Sequence, residues 1–340
     1  ASSGSLALNL KLSPHDDRVA VDGMAANVAA STYGGNGDDT FTVATAATLS
    51  GIVAFDGEGG SDSLLVTGSD GGLTGQLTAI GVTGLAMGRN SQVLVHNDIF
   101  GAGYTLPSEP NAPSDYPAAI YYGKRSTVDG LETLTSTIER VSIRLGSGND
   151  TFAVDSTFAG TTTILGGDGV DTIRVGSTVT GLHPSKLERV DFIAGLLHLD
   201  GQDGDDLVFL DDSGDDNANT GSLAGNVLTG LDMPGTITLD SPADLRIQLG
   251  SQADVFTVTA TVAGMSTTVD LGGGADRIVV GSPLAGGASG SSLAGIQGPL
   301  VIDGNGEAGD ELFVNDDAHT LGRTFTVTNQ LDATATRLVD

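Results

Sequence analysis

The sequence predicts an all-β protein, folded as a right-handed parallel β-helix, a solenoid of short strands joined by Gly/Asp-rich turns. Three observations lead to this fold class. Eight glycine-rich turns end in aspartate and open a run of alternating apolar residues, which is typical of a strand after a turn. The spacings between these turns recur along the chain, as in a repeat protein. The 51 glycines accompany 39% hydrophobic residues, too many for a disordered acidic chain.

The eight glycine-rich turns set the positions of the predicted strands. The clearest copies read GGNGDDTFTV (34–43), GSGNDTFAV (146–154), GGDGVDTIRV (166–175) and GGGADRIVV (272–280). The aspartates that end the eight turns are Asp39, Asp62, Asp150, Asp171, Asp205, Asp254, Asp276 and Asp310. The apolar residues two and four positions later are expected to point into the core; they are Phe41/Val43, Leu64/Val66, Phe152/Val154, Ile173/Val175, Leu207/Phe209, Phe256/Val258, Ile278/Val280 and Leu312/Val314.

The repeat appears at a second, longer scale. Spacings of 21 and 34 residues among the first three aspartates from Asp150 recur as 22 and 34 from Asp254. The segment GQLTAIGVTGLAM (75–87) also matches GSLAGNVLTGLDM (221–233). We divide the chain into a cap with the first acidic turn at 1–54, a long repeat at 55–198 with an inserted Tyr/Pro-rich loop at 89–127, a second repeat at 199–301, and an uncapped start of a third at 302–340. The alternative is a series of β-sandwich modules of about a hundred residues, since the longer intervals leave room for hairpins.

The charge balance narrows the partners and the location. Lys and Arg number 14 against 43 Asp and Glu, a formal net charge of −29. This excludes a nucleic-acid binder, which needs cationic surface. No apolar run reaches the length of a membrane span, so no membrane insertion is expected. So many carboxylates repel one another without counter-ions, and calcium is plentiful outside cells. We therefore expect an extracellular or cell-surface protein.

Calcium is the cofactor that the acidic turns predict, because it takes six to eight oxygen ligands from carboxylates and carbonyls. The alternative is an aspartate that only hydrogen-bonds the backbone of its own turn. The acidic run DDSGDD (211–216) is either a solvated loop or a further cation site. The candidate ligands in the turns are Asn36, Asp38, Asp39, Asp56, Asp62, Asn149, Asp150, Asp168, Asp171, Asp200, Asp203, Asp205, Asp206, Asp303 and Asp310.

These turns resemble the Gly- and Asp-rich nonapeptide repeats of the RTX, or haemolysin-type, family. The resemblance covers about ten residues at each of the eight places. It implies a secreted parallel β-roll with calcium between its turns, and it makes Asp39, Asp150 and Asp171 the best-matching ligands. RTX motifs follow one another every nine residues, whereas these lie 21 residues or more apart. That longer period is similar to the large repetitive adhesin-like proteins of the bacterial surface.

The predicted function is that of a calcium-stabilised extracellular structural protein, part of a surface layer, filament or adhesin stalk that self-associates end to end. No enzyme is predicted, because the five histidines lack metal-ligand spacing and no G-x-S-x-G elbow is present. One alternative is a polysaccharide lyase-like β-helix, in which one of Lys124, Arg125, Arg140 and Arg144 supplies the base. The other interpretation of these cations is that they only neutralise neighbouring carboxylates. Another alternative is a module that binds cell-surface glycans through the tyrosines of the inserted loop, which are Tyr104, Tyr116, Tyr121 and Tyr122.

Overall fold

The structure is a computed structural model of the 340-residue chain. It describes residues 6–26, 28–45, 48–79, 81–87, 89–90, 116–117, 119–128, 131–177, 188–283, 291–306 and 309–318. Within these ranges the regular structure is entirely strand, and no helix is present that could cross a membrane. The all-β prediction is therefore confirmed.

Thirty short strands make up the described chain. The first fifteen are β1 (Leu6–Lys11), β2 (Arg18–Val21), β3 (Val28–Tyr33), β4 (Thr40–Ala44), β5 (Ile52–Asp56), β6 (Ser63–Thr67), β7 (Thr74–Thr78), β8 (Gly81–Gly84), β9 (Arg89–Asn90), β10 (Tyr116–Pro117), β11 (Ala119–Tyr121), β12 (Gly123–Val128), β13 (Leu131–Ser136), β14 (Arg140–Ser147) and β15 (Thr151–Val154). The rest are β16 (Thr161–Asp168), β17 (Thr172–Val175), β18 (Leu196–Asp203), β19 (Leu207–Asp211), β20 (Thr220–Ala224), β21 (Val227–Gly230), β22 (Thr236–Asp240), β23 (Asp244–Gln248), β24 (Val255–Ala260), β25 (Ser266–Asp270), β26 (Arg277–Val280), β27 (Ser282–Pro283), β28 (Ser291–Ser292), β29 (Leu300–Asp303) and β30 (Glu311–Val314).

Two sheets of twelve strands carry the fold. Sheet 1 has the order β1-β3-β5-β11-β8-β7-β15-β17-β19-β23-β25-β29, and sheet 2 has the order β2-β4-β6-β14-β16-β18-β22-β21-β20-β24-β26-β30. Successive strands of the chain alternate between the two sheets, apart from the hairpin insertions described below and three separate two-stranded sheets, which are β9–β10, β12–β13 and β27–β28. Neighbours in a sheet are parallel except where β8 and β21 run against both of their neighbours. Along most strands buried residues alternate with less buried ones, so each sheet turns one face towards a packed interior that lies between the two sheets.

The core forms because apolar positions stack in register. Phe41 pairs with Leu64, and Leu64 pairs with Val141, so one apolar column runs through β4, β6 and β14. Phe41 is fully buried, with its ring centroid 4.8 Å from that of Phe55 in sheet 1. The expected inward positions are confirmed as buried in six of the eight runs, which are Phe41/Val43, Leu64/Val66, Phe152/Val154, Ile173/Val175, Phe256/Val258 and Ile278/Val280.

The other two runs differ from the prediction. In β19 the buried residues are Val208 and Leu210, whereas Leu207 and Phe209 lie on the outer face. The reason is that parallel pairing places Val208 beside Ile173 and so fixes which face turns inward. In β30, Leu312 is 49% exposed although it pairs with Ile278, because β30 is the outermost described strand of sheet 2.

Each sheet contains one hairpin insertion, and the two insertions correspond to the two similar segments of the sequence. In sheet 1, β7 and β8 pair antiparallel, with Leu77 opposite Val82, and β11 continues the sheet. In sheet 2, β20 and β21 pair antiparallel, with Leu223 opposite Leu228, and β22 continues the sheet. Segments 75–87 and 221–233 therefore form the same kind of hairpin in opposite sheets.

The segment 89–127, which is predicted as one inserted loop, contributes strands to the fold. β11 joins sheet 1 between β5 and β8, and β12 pairs with β13 in a separate antiparallel hairpin. Most of the Tyr/Pro-rich stretch, residues 91–115, lies outside the described residues, as does 319–340 at the start of the third repeat. At the other end, β1 and β2 are the first strands of sheets 1 and 2.

Candidate metal centre

The Gly/Asp turns stack directly on one another, and this stacking explains their glycines. Gly204 has φ +143°, and a Cβ there would collide with the carbonyl oxygen of Gly169 in the turn below. Gly34 leaves room for a carboxylate, since its Cβ would collide with Asp39 Oδ2. Only glycine allows a left-handed backbone this close to a neighbouring chain. The glycines thus allow neighbouring turns to approach one another closely.

Eight aspartates that end turns of this kind, together with Glu139, form three rows. Row 1 consists of Asp39, Asp62 and Glu139, row 2 of Asp150, Asp171 and Asp206, and row 3 of Asp254, Asp276 and Asp310. Row 1 precedes strands of sheet 2, row 2 precedes strands of sheet 1, and row 3 precedes strands of sheet 2 again. The change of sheet between rows follows the hairpin insertions.

Within a row, each side chain binds the backbone of the preceding turn. Asp171 Oδ1 accepts the N–H of Asp150 at 2.8 Å, and Asp206 Oδ1 accepts the N–H of Asp171 at 2.7 Å. Glu139 Oε2 takes the same role in row 1, accepting the N–H of Asp62 at 2.6 Å. The remaining bonds are Asp17 N to Asp39 Oδ1, Asp39 N to Asp62 Oδ1, Leu73 N to Asp150 Oδ1, Asn219 N to Asp254 Oδ1, Asp254 N to Asp276 Oδ1 and Asp276 N to Asp310 Oδ1.

In six of the row aspartates the second carboxylate oxygen, Oδ2, is buried without a hydrogen-bond partner. These residues are Asp39, Asp62, Asp150, Asp171, Asp206 and Asp254. Burial raises the pKa of Asp62, Asp171 and Asp254 to about 6, and the neighbouring carboxylates add to the effect. Burial also raises the pKa of Asp150 and Asp206. Buried anionic oxygens in a row are costly unless a proton or a cation accompanies them.

A second, exposed set of predicted ligands flanks row 1 and row 2. Asp38 Oδ1 accepts the N–H of Ser61 in the following turn at 2.9 Å. Asn149 Oδ1 accepts the N–H of Val170 at 3.0 Å in the same way. Asp168 and Asp203 are register partners at the ends of β16 and β18, and both are exposed. Asn36 is exposed in the same turn as Asp38.

Four other predicted ligands do not stand in the buried rows. Asp56 is buried, but its Oδ1 accepts the hydroxyl of Thr137 at 2.7 Å. Asp200 and Asp303 each accept a backbone N–H two residues later, so they close local turns. Asp205 is exposed, and it is Asp206 that occupies row 2. The aspartate of this turn that bonds to the preceding turn is therefore Asp206, one residue after the predicted Asp205.

An acidic cluster that the sequence left open lies next to these turns. Asp191, Asp212 and Asp215 each offer an oxygen within 4.8 Å of the others, a group that could hold a metal ion. Asp212 and Asp215 are fully buried, and they come from the DDSGDD loop (211–216), for which the sequence predicts either a solvated loop or a cation site. Burial raises the pKa of Asp212 to about 8 and, less strongly, that of Asp191.

One cation of the chain already approaches this cluster. Arg189 Nη1 lies 3.3 Å from Asp215 Oδ1 and 3.9 Å from Asp191 Oδ2, and its Nη2 lies 2.6 Å from Asp216 Oδ1. The Arg189 Nε donates to the carbonyl of Gly214 at 2.9 Å, which holds the guanidinium against the loop. The Asp216 carboxylate is 76% exposed and lies outside the group of three.

Of the four tyrosines predicted to bind glycans, one lies in the core and another falls outside the described residues. Tyr122 is fully buried, its hydroxyl donates to the carbonyl of Thr78 at 2.6 Å, and its ring packs edge-on against Phe158. Tyr122 therefore belongs to the core. Tyr121 is half-buried on β11, Tyr116 lies on β10, and Tyr104 falls outside the described residues.

No protein family model, curated protein or solved structure matches the chain.

Proposed function

We propose that this protein is a calcium-stabilised structural β-solenoid of the extracellular space, an element of a surface layer, filament or adhesin stalk. The observation that carries the proposal is the set of three rows of carboxylates, each bonded through one oxygen to the preceding turn. In six of the aspartates the second oxygen, Oδ2, is buried without a hydrogen-bond partner.

The electrostatics of a row favour a bound cation. With pKa values of about 6, Asp62, Asp171 and Asp254 are mostly ionised at pH 7. Adjacent strands lie about 4.8 Å apart, at which two like charges repel by about 3.5 kcal/mol at an effective dielectric constant of 20. A divalent ion between neighbouring turns offsets this repulsion. Carboxylate and carbonyl oxygens are the ligands that calcium prefers.

The pairing of strands supports the solenoid. Successive turns carry the chain from one sheet to the other and back, and each return places the new strand parallel and in register with the last. The intervals between bonded aspartates in row 2 are 21 and 35 residues, enough for one winding through both sheets. The resemblance to RTX repeats supports the same arrangement and an extracellular location, where calcium is at about millimolar concentration.

Self-association is the part of the proposal that concerns partners. β1 is the outermost described strand of sheet 1, and it pairs with β3 alone. Its Leu6, Leu8 and Leu10 are 58%, 51% and 40% exposed. An open strand edge with apolar side chains is a template for pairing with another strand. This edge lies within the segment 1–54 that the sequence predicts as a cap. A second copy whose β29 and β30 end stacked on it would extend the solenoid lengthwise.

The test is thermal unfolding of the full chain, followed by circular dichroism, in excess EDTA and in millimolar calcium. Calcium is expected to raise the unfolding midpoint markedly, by the linkage between binding and folding. Magnesium at equal concentration serves as the control for ionic strength, and its smaller coordination number should make it a poor substitute. A midpoint that is the same in EDTA and calcium would count against the proposal.

A further inference from the structure

The cluster at Asp191, Asp212 and Asp215 contains more than three acidic side chains. Asn219 is 3% exposed, and its Nδ2 donates to Asp215 Oδ2, which places the carboxamide against the cluster. The other amide atom, Oδ1, is buried without a partner. Asp212 Oδ2 and Asp191 Oδ1 are likewise buried without partners. An unpaired oxygen acceptor in the interior is costly, and none of these three oxygens has a hydrogen-bond donor.

The chain supplies its own comparison for this cluster. Val190 N donates to Asp212 Oδ1 at 3.1 Å, and in the next repeat Leu293 N donates to Asp316 Oδ1 at 2.9 Å. Parallel bridges also correspond, between Thr157 and Ile193 in one copy and between Thr261 and Ile296 in the next. The backbone bond to the aspartate is thus a shared feature of the fold.

The rest of the cluster is not shared. By this correspondence, Asp191 is matched by Ala294 and Arg189 by Ser292. The second copy keeps the same loop with neither the additional carboxylate nor the guanidinium. Asp191 is therefore not needed to form the loop, and its place beside two buried aspartates requires another explanation.

We propose that Asp191, Asp212, Asp215 and Asn219 form a binding site for one divalent cation of the calcium type, separate from the three aspartate rows. The ligands would be one oxygen from each carboxylate and Asn219 Oδ1, all hard oxygen donors suited to calcium. In their ionised forms the three carboxylates and Arg189 leave two negative charges, which one divalent ion balances. Arg189 bonds to Gly214 and Asp216 from the edge and positions the loop.

The test measures calcium binding to the full chain by isothermal titration calorimetry. Asp191→Ala is the informative variant, because the corresponding loop already carries alanine at position 294 and remains folded. The variant is expected to lose one binding equivalent, or to bind at one site about tenfold more weakly or worse. The matched control is Asp244→Asn, which removes one negative charge at an exposed position outside this loop and should leave the count unchanged.

A measurement on the unmodified chain locates the ion independently of any variant. Crystals soaked in manganese chloride are expected to show an anomalous peak between Asp191, Asp212 and Asp215. Unchanged calcium binding by folded Asp191→Ala, or no peak at this position, would overturn the inference. Anomalous peaks in the aspartate rows would test the proposed function separately. The cluster site can therefore be refuted while the rows bind calcium, and the rows can be refuted while the cluster binds it.

Discussion

A row aspartate can accept a backbone N–H and can also bind a cation. Replacing Asp171 by asparagine separates these two roles. The carboxylate is fully buried, and its pKa rises to about 6 from an ordinary value of 3.8. The ionised form therefore destabilises the folded chain by about 3 kcal/mol at pH 7 when no cation is present. Asparagine keeps an oxygen for the N–H of Asp150 and removes the charge.

The expected sign of the effect depends on calcium. In EDTA, Asp171→Asn should be as stable as the parent or more stable by up to about 2 kcal/mol, since a buried, unpaired Nδ2 costs about 1–3 kcal/mol of the gain. In calcium at about a hundred times its dissociation constant, the parent gains about 2.7 kcal/mol from each occupied site, and the variant loses that gain for its own site. The variant should then be the less stable of the two.

Unfolding midpoints of both chains, in EDTA and in calcium, measure this reversal. Asp244→Asn is the control, because it makes the same charge change at an exposed position and should shift stability by no more than about 0.5 kcal/mol. If Asp171→Asn were destabilised equally under both conditions, the aspartate would be only a backbone acceptor and the reasoning about ions would be refuted.

Two further predictions follow from the same turns. In EDTA, the unfolding midpoint should fall as the pH rises from about 4 to 7, because Asp62, Asp171 and Asp254 have pKa values of about 6 when folded and hold protons that the unfolded chain releases nearer 3.8. Saturating calcium should flatten this dependence, and a midpoint that rises over the interval in EDTA would contradict the assignment. Gly204→Ala should lower stability by about 3 kcal/mol, because its Cβ would meet the Gly169 carbonyl at a φ of +143°. Gly225→Ala, with φ +68° and no atom within 4 Å of its Cβ, should cost only about 1 kcal/mol, and equal losses would show that stacking is not the cause.

The sequence was sufficient for the strands and for most of the inward positions, because period-two patterns after glycine turns carry that information. It was not sufficient where four apolar residues follow one another. In Leu207, Val208, Phe209 and Leu210 both phases look alike, and only pairing with Ile173 and Val175 selects Val208 and Leu210. The same ambiguity displaced the key aspartate from Asp206 to Asp205.

The site was predicted in part for a similar reason. The row aspartates follow glycine turns, so their positions could be read directly. Glu139 takes part in row 1 without any glycine turn before it, and only the neighbouring Asp62 N–H reveals its role. Asp191 reaches Asp212 and Asp215 because the chain passes their loop about twenty residues earlier, which no local motif records. Tyr122 looked like part of a loop until β11 placed it against the core.

The hairpin insertions have a consequence for how such a chain could lengthen. Each insertion exchanges the sheet that follows the acidic turns, so adding one repeat with its hairpin moves the next block of turns to the opposite edge. Duplication of a single repeat would thus move all the acidic turns that follow it to the opposite edge, whereas duplication of two repeats would return them to the original edge. Growth of this architecture by gene duplication should favour even numbers wherever a partner must recognise one constant side.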